Sequence, residues 1–169
     1  MKKTVYLSLG SNTGDRVANL CKALGHVEKL GKIIAVSSLY ETEPVEVDRA
    51  QPWFLNCVVA LETELMPRQL LSCTLGIEQA LGRRRLEKKG PRTIDIDIVL
   101  FGNAIVRSPE LTIPHPALQQ RRFVLEPLTE IAPEARHPVL KRTVRQLLES
   151  LPPCSGSVRR LTGSVTQSG

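Results

Sequence analysis

A chain of 169 residues is long enough for one compact domain with a sizeable core, and its 41% hydrophobic and 24% charged residues are ordinary globular composition. The net charge of +6 favours an anionic partner, whether nucleotide, nucleic acid or membrane surface. No apolar run reaches the ~20 residues of a membrane span, and Cys21, Cys57, Cys73 and Cys154 are scattered without a CxxC pair or a nearby histidine, as expected of reduced thiols in a cytoplasmic protein.

Residues 5–9 alternate as a strand, in a segment too short and too alternating for a signal peptide. Gly10-Ser11-Asn12-Thr13-Gly14-Asp15 then leads into a helix near 15–30 with Val17, Leu20, Cys21, Leu24 and Val27 as its apolar stripe. This turn lacks the Gly-Lys-Ser/Thr ending of a P-loop and the G-x-G-x-x-G fingerprint. It reads as a structural turn, with Asn12 or Thr13 capping the helix. A strand near 33–40, a charged and proline-bearing loop over 41–52 and a strand over 54–61 come next. Pro67 suits the first turn of a second helix near 67–82, with Leu70, Leu71, Thr74, Ile77 and Leu81 on one face. A strand from Thr93 turns at Phe101-Gly102-Asn103 into a short return strand at 104–106. The order β-α-β-β-α-β predicts an α+β fold with a ferredoxin-like core, a sheet with helices packed on one face. Residues 107–140 are punctuated by prolines, and Thr143 to Leu151 predicts a helix stopped by Pro152-Pro153. This C-terminal extension completes a single domain over 1–153, and residues 154–169, rich in Ser, Gly and Thr, read as a flexible tail.

The most informative segment is Gly90-Pro91-Arg92-Thr93-Ile94-Asp95-Ile96-Asp97-Ile98-Val99-Leu100. From Thr93 it alternates, so Asp95 and Asp97 point the same way, roughly 7 Å apart along a strand. Two like charges that close cost stability unless a cation lies between them, and a pair of hard oxygen donors suits Mg²⁺, which completes its shell with water and phosphate. Arg83, Arg84, Arg85, Lys88, Lys89 and Arg92 precede the strand in what reads as a mobile loop ending at Gly90-Pro91. An edge strand and a solvated basic surface would explain each half separately. Together they fit a metal–polyphosphate complex, because guanidinium groups bind phosphate in bidentate fashion.

Several blocks in order now resemble one family: Leu9-Gly10-Ser11-Asn12-Thr13-Gly14-Asp15, Tyr40-Glu41-Thr42-Glu43-Pro44 with Phe54-Leu55-Asn56, Leu81-Gly82-Arg83-Arg84-Arg85, and the Gly-Pro-Arg-Thr-Ile-Asp-Ile-Asp run. Ile113-Pro114-His115-Pro116 and Arg121-Arg122-Phe123-Val124-Leu125-Glu126-Pro127-Leu128 extend the match. Over about residues 4 to 150 the chain resembles the 6-hydroxymethyl-7,8-dihydropterin pyrophosphokinases of folate biosynthesis.

The resemblance implies transfer of a diphosphate from ATP to the pterin hydroxymethyl group, with AMP leaving. It implies Asp95 and Asp97 as ligands of two Mg²⁺ ions bound with ATP, with Asp97 the better placed to take the hydroxyl proton. Arg83, Arg85 and Arg92 match triphosphate-contacting positions, and Arg83 and Arg92 count with the aspartates as catalytic. His115 and Arg121 match phosphate contacts, Ile98 and Thr112 border the nucleotide largely through backbone groups, and Glu78 falls at an acidic nucleotide-side position. On the pterin side, Phe54 and Phe123 match a stacking pair, Asn56 an amide that reads the ring edge, and Thr42, Glu43, Pro44 and Val45 a stretch of backbone contacts. The expected protein is a monomer without nucleic-acid or membrane partners. An RNA-binding module of similar topology would need aromatic stacking residues on its central strands, and a metal-dependent phosphodiesterase would need further His or Asp ligands.

Overall fold

The computed structural model describes residues 1–43, 53–82, 93–152 and 158–161. In chain order its elements are β1 (Lys3–Ser11), α1 (Arg16–Val27), β2 (Lys32–Val36), β3 (Tyr40–Thr42), β4 (Phe54–Thr63), α2 (Pro67–Ala80) and β5 (Asp95–Phe101). The later part adds β6 (Val106–Arg107), β7 (Thr112–Ile113), α3 (Arg122–Ile131), β8 (Arg136–His137), β9 (Arg142–Thr143), α4 (Val144–Glu149) and β10 (Val158–Arg160). The fold is α+β. β1 lies between β4 and β5, antiparallel to both. β2 and β3 share the far edge of β4, and β10 adds to β3.

Alternation along the strands decides what each sheet face does. Val5, Leu7 and Leu9 of β1, with Leu55, Cys57, Val59 and Leu61 of β4 and Ile96 and Ile98 of β5, point to one face. There they pack with Leu20, Ala23, Leu24 and Val27 of α1 and Leu70 and Ile77 of α2. The opposite face is graded. At one end Tyr6, Val58, Val99 and Leu100 meet Val124, Leu125 and Leu128 of α3 and Val144 and Leu147 of α4. At the other end the same rows continue as Ser8 and Gly10, as Asp97 and Asp95, and as Asn56 and Phe54.

The structure corrects several expectations. Helices cover both faces, not one, because residues 122–131 form α3 inside the stretch read as proline-punctuated chain. Pro127 lies within that helix and can donate no N–H. The buried stripe of Val124, Leu125 and Leu128 outweighs the missing bond. The strand expected over 33–40 is two strands broken at Ser37, whose N–H reaches the Val58 carbonyl while its hydroxyl accepts from the Val58 N–H, both at 2.9 Å. The return strand is β6, which pairs with β7. Neither Asn12 nor Thr13 caps α1. Asp15 does, accepting from Ala18 N–H at 3.1 Å, and Gly14 before it takes a φ of +67° that other residues rarely adopt. Residues 158–160, read as tail, form an edge strand. No described helix is long and apolar enough to cross a membrane.

Candidate active site

The polar end of the graded face gathers much of the predicted set. Strand register places Asp95 opposite Gly10, Gly10 opposite Asn56, and Asn56 opposite Tyr40, so these four form one row across the sheet. Asp97, Ser8 and Val58 form the next row. Phe54 and Thr42 face each other beyond Asn56.

Asn56 is buried, and its Nδ2 donates to the Thr42 hydroxyl at 2.5 Å. That bond fixes which way the amide points. The carbonyl Oδ1 lies above Gly10, where an added Cβ would come within 2.5 Å of it and 3.3 Å of the Phe54 ring. Gly10 is therefore needed for room, and the residue types alone did not single it out. What results is a fixed acceptor beside an aromatic face, suited to a flat ring with N–H donors along its edge.

Asp95 and Asp97 share a strand face and are half-buried. Asp97 Oδ2 lies 3.9 Å from Arg121 Nη1, with their side chains 38% and 33% exposed. At that distance and exposure the pair adds little stability. Paired carboxylate oxygens beside a guanidinium suit a divalent cation carrying phosphate. The Arg121 guanidinium also sits 5.5 Å from the centroid of the Phe123 ring, over its face. Phe123 packs against the cluster beneath α3, so the start of that helix borders both aspartate and aromatic groups.

His115 N–H donates to the Val99 carbonyl at 3.0 Å, which hangs it beside β5. Its Nδ1 accepts from Ala117 N–H at 3.2 Å. Burial first, and then the Arg121 charge, push its pKa down to about 4 against an opposing pull from Asp95. The neutral ring carries its proton on Nε2 and can donate from there. A cavity of about 220 Å³ is shared by His115, Thr112 and His137. His137, read from sequence as structural, is held by two N–H donors on its Nδ1, from Val139 and Leu140.

Other predicted residues stand elsewhere. Glu78 is buried between α2 and β5, where it accepts from Ile96 N–H at 2.7 Å, the backbone amide between the two aspartates. The Ile98 side chain belongs to the core under α1 and α2, Thr112 is exposed on β7, and Glu43 is exposed after β3. Pro44, Val45, Arg83, Arg85 and Arg92 lie outside the described residues.

Sequence reasoning missed Glu41, Arg16 and Glu130. Glu41 accepts from Arg16 at 3.0 Å and pairs with Arg159, and these arginines, Arg16 foremost, hold its carboxyl below the usual range. A cavity of about 770 Å³ opens beside Arg16, Glu41 and Trp53, and among the described residues its lining includes none of the predicted pterin set. Glu130 of α3 accepts from the Tyr40 hydroxyl at 2.7 Å and from Ser38 N–H at 3.0 Å.

Comparison with known proteins converges on one family. A family model described as 7,8-dihydro-6-hydroxymethylpterin-pyrophosphokinase matches residues 6–133. The 2-amino-4-hydroxy-6-hydroxymethyldihydropteridine pyrophosphokinase of Methylorubrum extorquens is 45% identical over 150 residues, covering 88% of this chain and 93% of its own. Its namesake from Aquifex aeolicus is 39% identical over 143 residues, covering 85% and 89%. The folic acid synthesis protein fol1 of Schizosaccharomyces pombe is 43% identical over 152 residues, but the match spans only 21% of that longer protein. Among solved structures, an HPPK-DHPS of Plasmodium falciparum superposes with a TM-score of 0.69 at 19% identity, over 88% of this chain and 45% of that one. At that identity the likeness concerns fold alone.

Proposed function

Because the chain belongs to the 7,8-dihydro-6-hydroxymethylpterin-pyrophosphokinase family, we propose that it transfers a diphosphate from ATP to the hydroxymethyl group of 6-hydroxymethyl-7,8-dihydropterin, releasing AMP, in folate synthesis. The observation that carries this reading is the row Asp95–Gly10–Asn56. It sets a ring-edge reader and a carboxylate pair two strands apart, about 10 Å at the usual strand spacing. Acceptor and triphosphate can then meet above Gly10, whose missing side chain leaves the space.

Diphosphoryl transfer asks mainly for positioning and for offsetting charge. Asn56 accepts from the pterin edge while Thr42 holds its amide, and Phe54 and Phe123 supply aromatic faces. Glu43, Pro44 and Val45 complete the acceptor side on the strength of their motif positions. Asp95 and Asp97 would hold the divalent cations, two Mg²⁺ in this reading, which when bound offset triphosphate charge and acidify the attacking hydroxyl. Asp97 is the proposed recipient of the hydroxyl proton. Arg121 and the His115 Nε2–H face the phosphates, and backbone groups at Ile98 and Thr112 border the nucleoside. Glu78 acts on the nucleotide side through the β5 backbone. Arg83, Arg85 and Arg92 are assigned to the triphosphate on sequence position alone.

The antiparallel order β2–β4–β1–β5, with α1 and α2 on one face, supports a ferredoxin-like core to which α3 and α4 are an extension. We place the protein as a cytoplasmic monomer acting on small molecules, with neither nucleic acid nor membrane as partner, a single domain over 1–153. The test is ³¹P NMR of the protein with ATP, Mg²⁺ and the reduced hydroxymethylpterin. Equal amounts of AMP and pterin diphosphate are expected; ADP, or inorganic phosphate alone, overturns the reading.

A further inference from the structure

β10 lies well beyond the family-matched residues 6–133, and its successive side chains leave opposite faces of the sheet. Arg159 stands opposite Glu41 of β3 and forms an ion pair with it. The same carboxylate accepts from Arg16 Nη2 at 3.0 Å, while Arg16 Nη1 donates to the Trp53 carbonyl at 2.8 Å. On this side the first residue of α1, strand β3 and the residue preceding β4 are tied together.

Arg160 works on the other face. It donates to the Ser38 hydroxyl at 2.9 Å and lies 3.4 Å from Glu130 of α3. Glu130 also takes the Ser38 hydroxyl at 2.9 Å and the Tyr40 hydroxyl at 2.7 Å. Leu161 N–H then bonds the Leu39 carbonyl at 2.8 Å, extending the pairing past the strand. β3 carries Thr42, which orients Asn56, and α3 carries Phe123. The two arginines of one short strand therefore grip both elements that wall the acceptor side.

We propose that β10 is a two-sided clasp that positions the acceptor pocket: Arg159, through Glu41, sets Thr42 against Asn56, and Arg160, through Glu130, sets α3 and Phe123 against β3. The inference rests on reading Thr42, Asn56 and Phe123 as the pterin side. Arg159 and Arg160 are positioning residues, and their effect belongs to one substrate. A strand that only sealed the edge of β3 against stray pairing would have no such selectivity.

The experiment uses the full chain carrying Arg159→Ala and Arg160→Ala, singly and together, with Arg159→Lys as the conservative variant. Steady-state kinetics are run with each substrate varied, alongside thermal unfolding. The double variant is expected to raise the KM for the pterin about five-fold or more, with kcat and the KM for ATP held within about two-fold, and Arg159→Lys is expected to recover part of the change. An unchanged pterin KM overturns the clasp. So does a loss shared equally by both substrates that follows the fall in Tm, since that describes a brace for the whole fold. If the wild-type protein makes no AMP and pterin diphosphate, it is the functional reading that fails. If it does and the variants match it, only the clasp fails.

Discussion

The proposed acceptor side and the proposed phosphate side of the site are built in opposite ways. Asn56 and Thr42 are 4% and 2% exposed and joined by a short hydrogen bond, whereas Asp97 and Arg121 are each about a third exposed and meet only at 3.9 Å. The physics of the two proposed ligands accounts for the contrast. A neutral ring is recognised by dipoles, which discriminate only if they are already pointed and dry. Charges meant for a metal–triphosphate complex, the role proposed for Asp97 and Arg121, would be costly to bury fully, which fits their partial exposure. One side is preorganised and the other is kept solvated.

The largest effect should come from the solvated side. Asp97→Ala is expected to lower AMP formation by about 10³-fold or more, because phosphate charge and metal binding are tied to the transition state. Equilibrium binding of the pterin should stay within about two-fold, since Asn56 and Thr42 lie in other rows of the sheet than Asp97. Near-normal turnover would remove Asp97 from the chemistry. Lost pterin binding would instead show that the two sides are one coupled unit.

Gly10→Ala probes the row that joins them. Its Cβ would fall 2.5 Å from Asn56 Oδ1, closer than any real contact, so the amide must shift or its bond to Thr42 must break. Displacing a buried, oriented amide costs about 1–3 kcal/mol, so pterin affinity should fall by roughly ten-fold or more while ATP binding changes less. Titration of each ligand separately measures this. Equal loss of both would mean that Gly10 supports the sheet and not the acceptor pocket.

Much of this was legible in the chain. Alternation over 93–100 locates β5 and puts Asp95 and Asp97 on one face, and the apolar stripes of α1 and α2 mark limits close to the true ones. What escaped depends on partners distant in sequence. Val124, Leu125 and Leu128 carry a helical stripe, yet Pro127 in the middle argued for irregular chain, and only burial against Val58 and Leu100 shows why a helix survives there. Val158–Arg160 is too short to announce a strand, and its reason to form one is the edge of β3, over a hundred residues earlier. Glu78 sits where the family resemblance put an acidic residue, but its bond to Ile96 N–H is a matter of α2 packing on β5. Asn12, Thr13 and Asp15 are equally good capping types, and only the backbone at Gly14 decides for Asp15.

The smallest expected effect separates the two sides by pH. His115 is held neutral with its pKa near 4, below the ordinary 6.5, so between those values the unfolded chain binds a proton that the folded chain refuses. Its contribution to stability is complete above about 6.5 and is lost as pH falls toward 4. Glu41 is also depressed, but from 4.5, so the stability it lends is complete above that value and is lost only as pH falls further, through its folded pKa. Unfolding midpoints followed from pH 7 to 3 should therefore fall in two stages. Replacing His115 with Asn should flatten the upper stage alone, and Glu41→Gln the lower stage alone, each by a few degrees at most because both groups are partly solvated. A Glu41→Gln protein that still loses stability below pH 4.5 as the wild type does would mean that Arg16 and Arg159 do not grip this carboxylate in solution. The proposed acceptor wall would then lose the tie that is meant to set it apart from the proposed phosphate side.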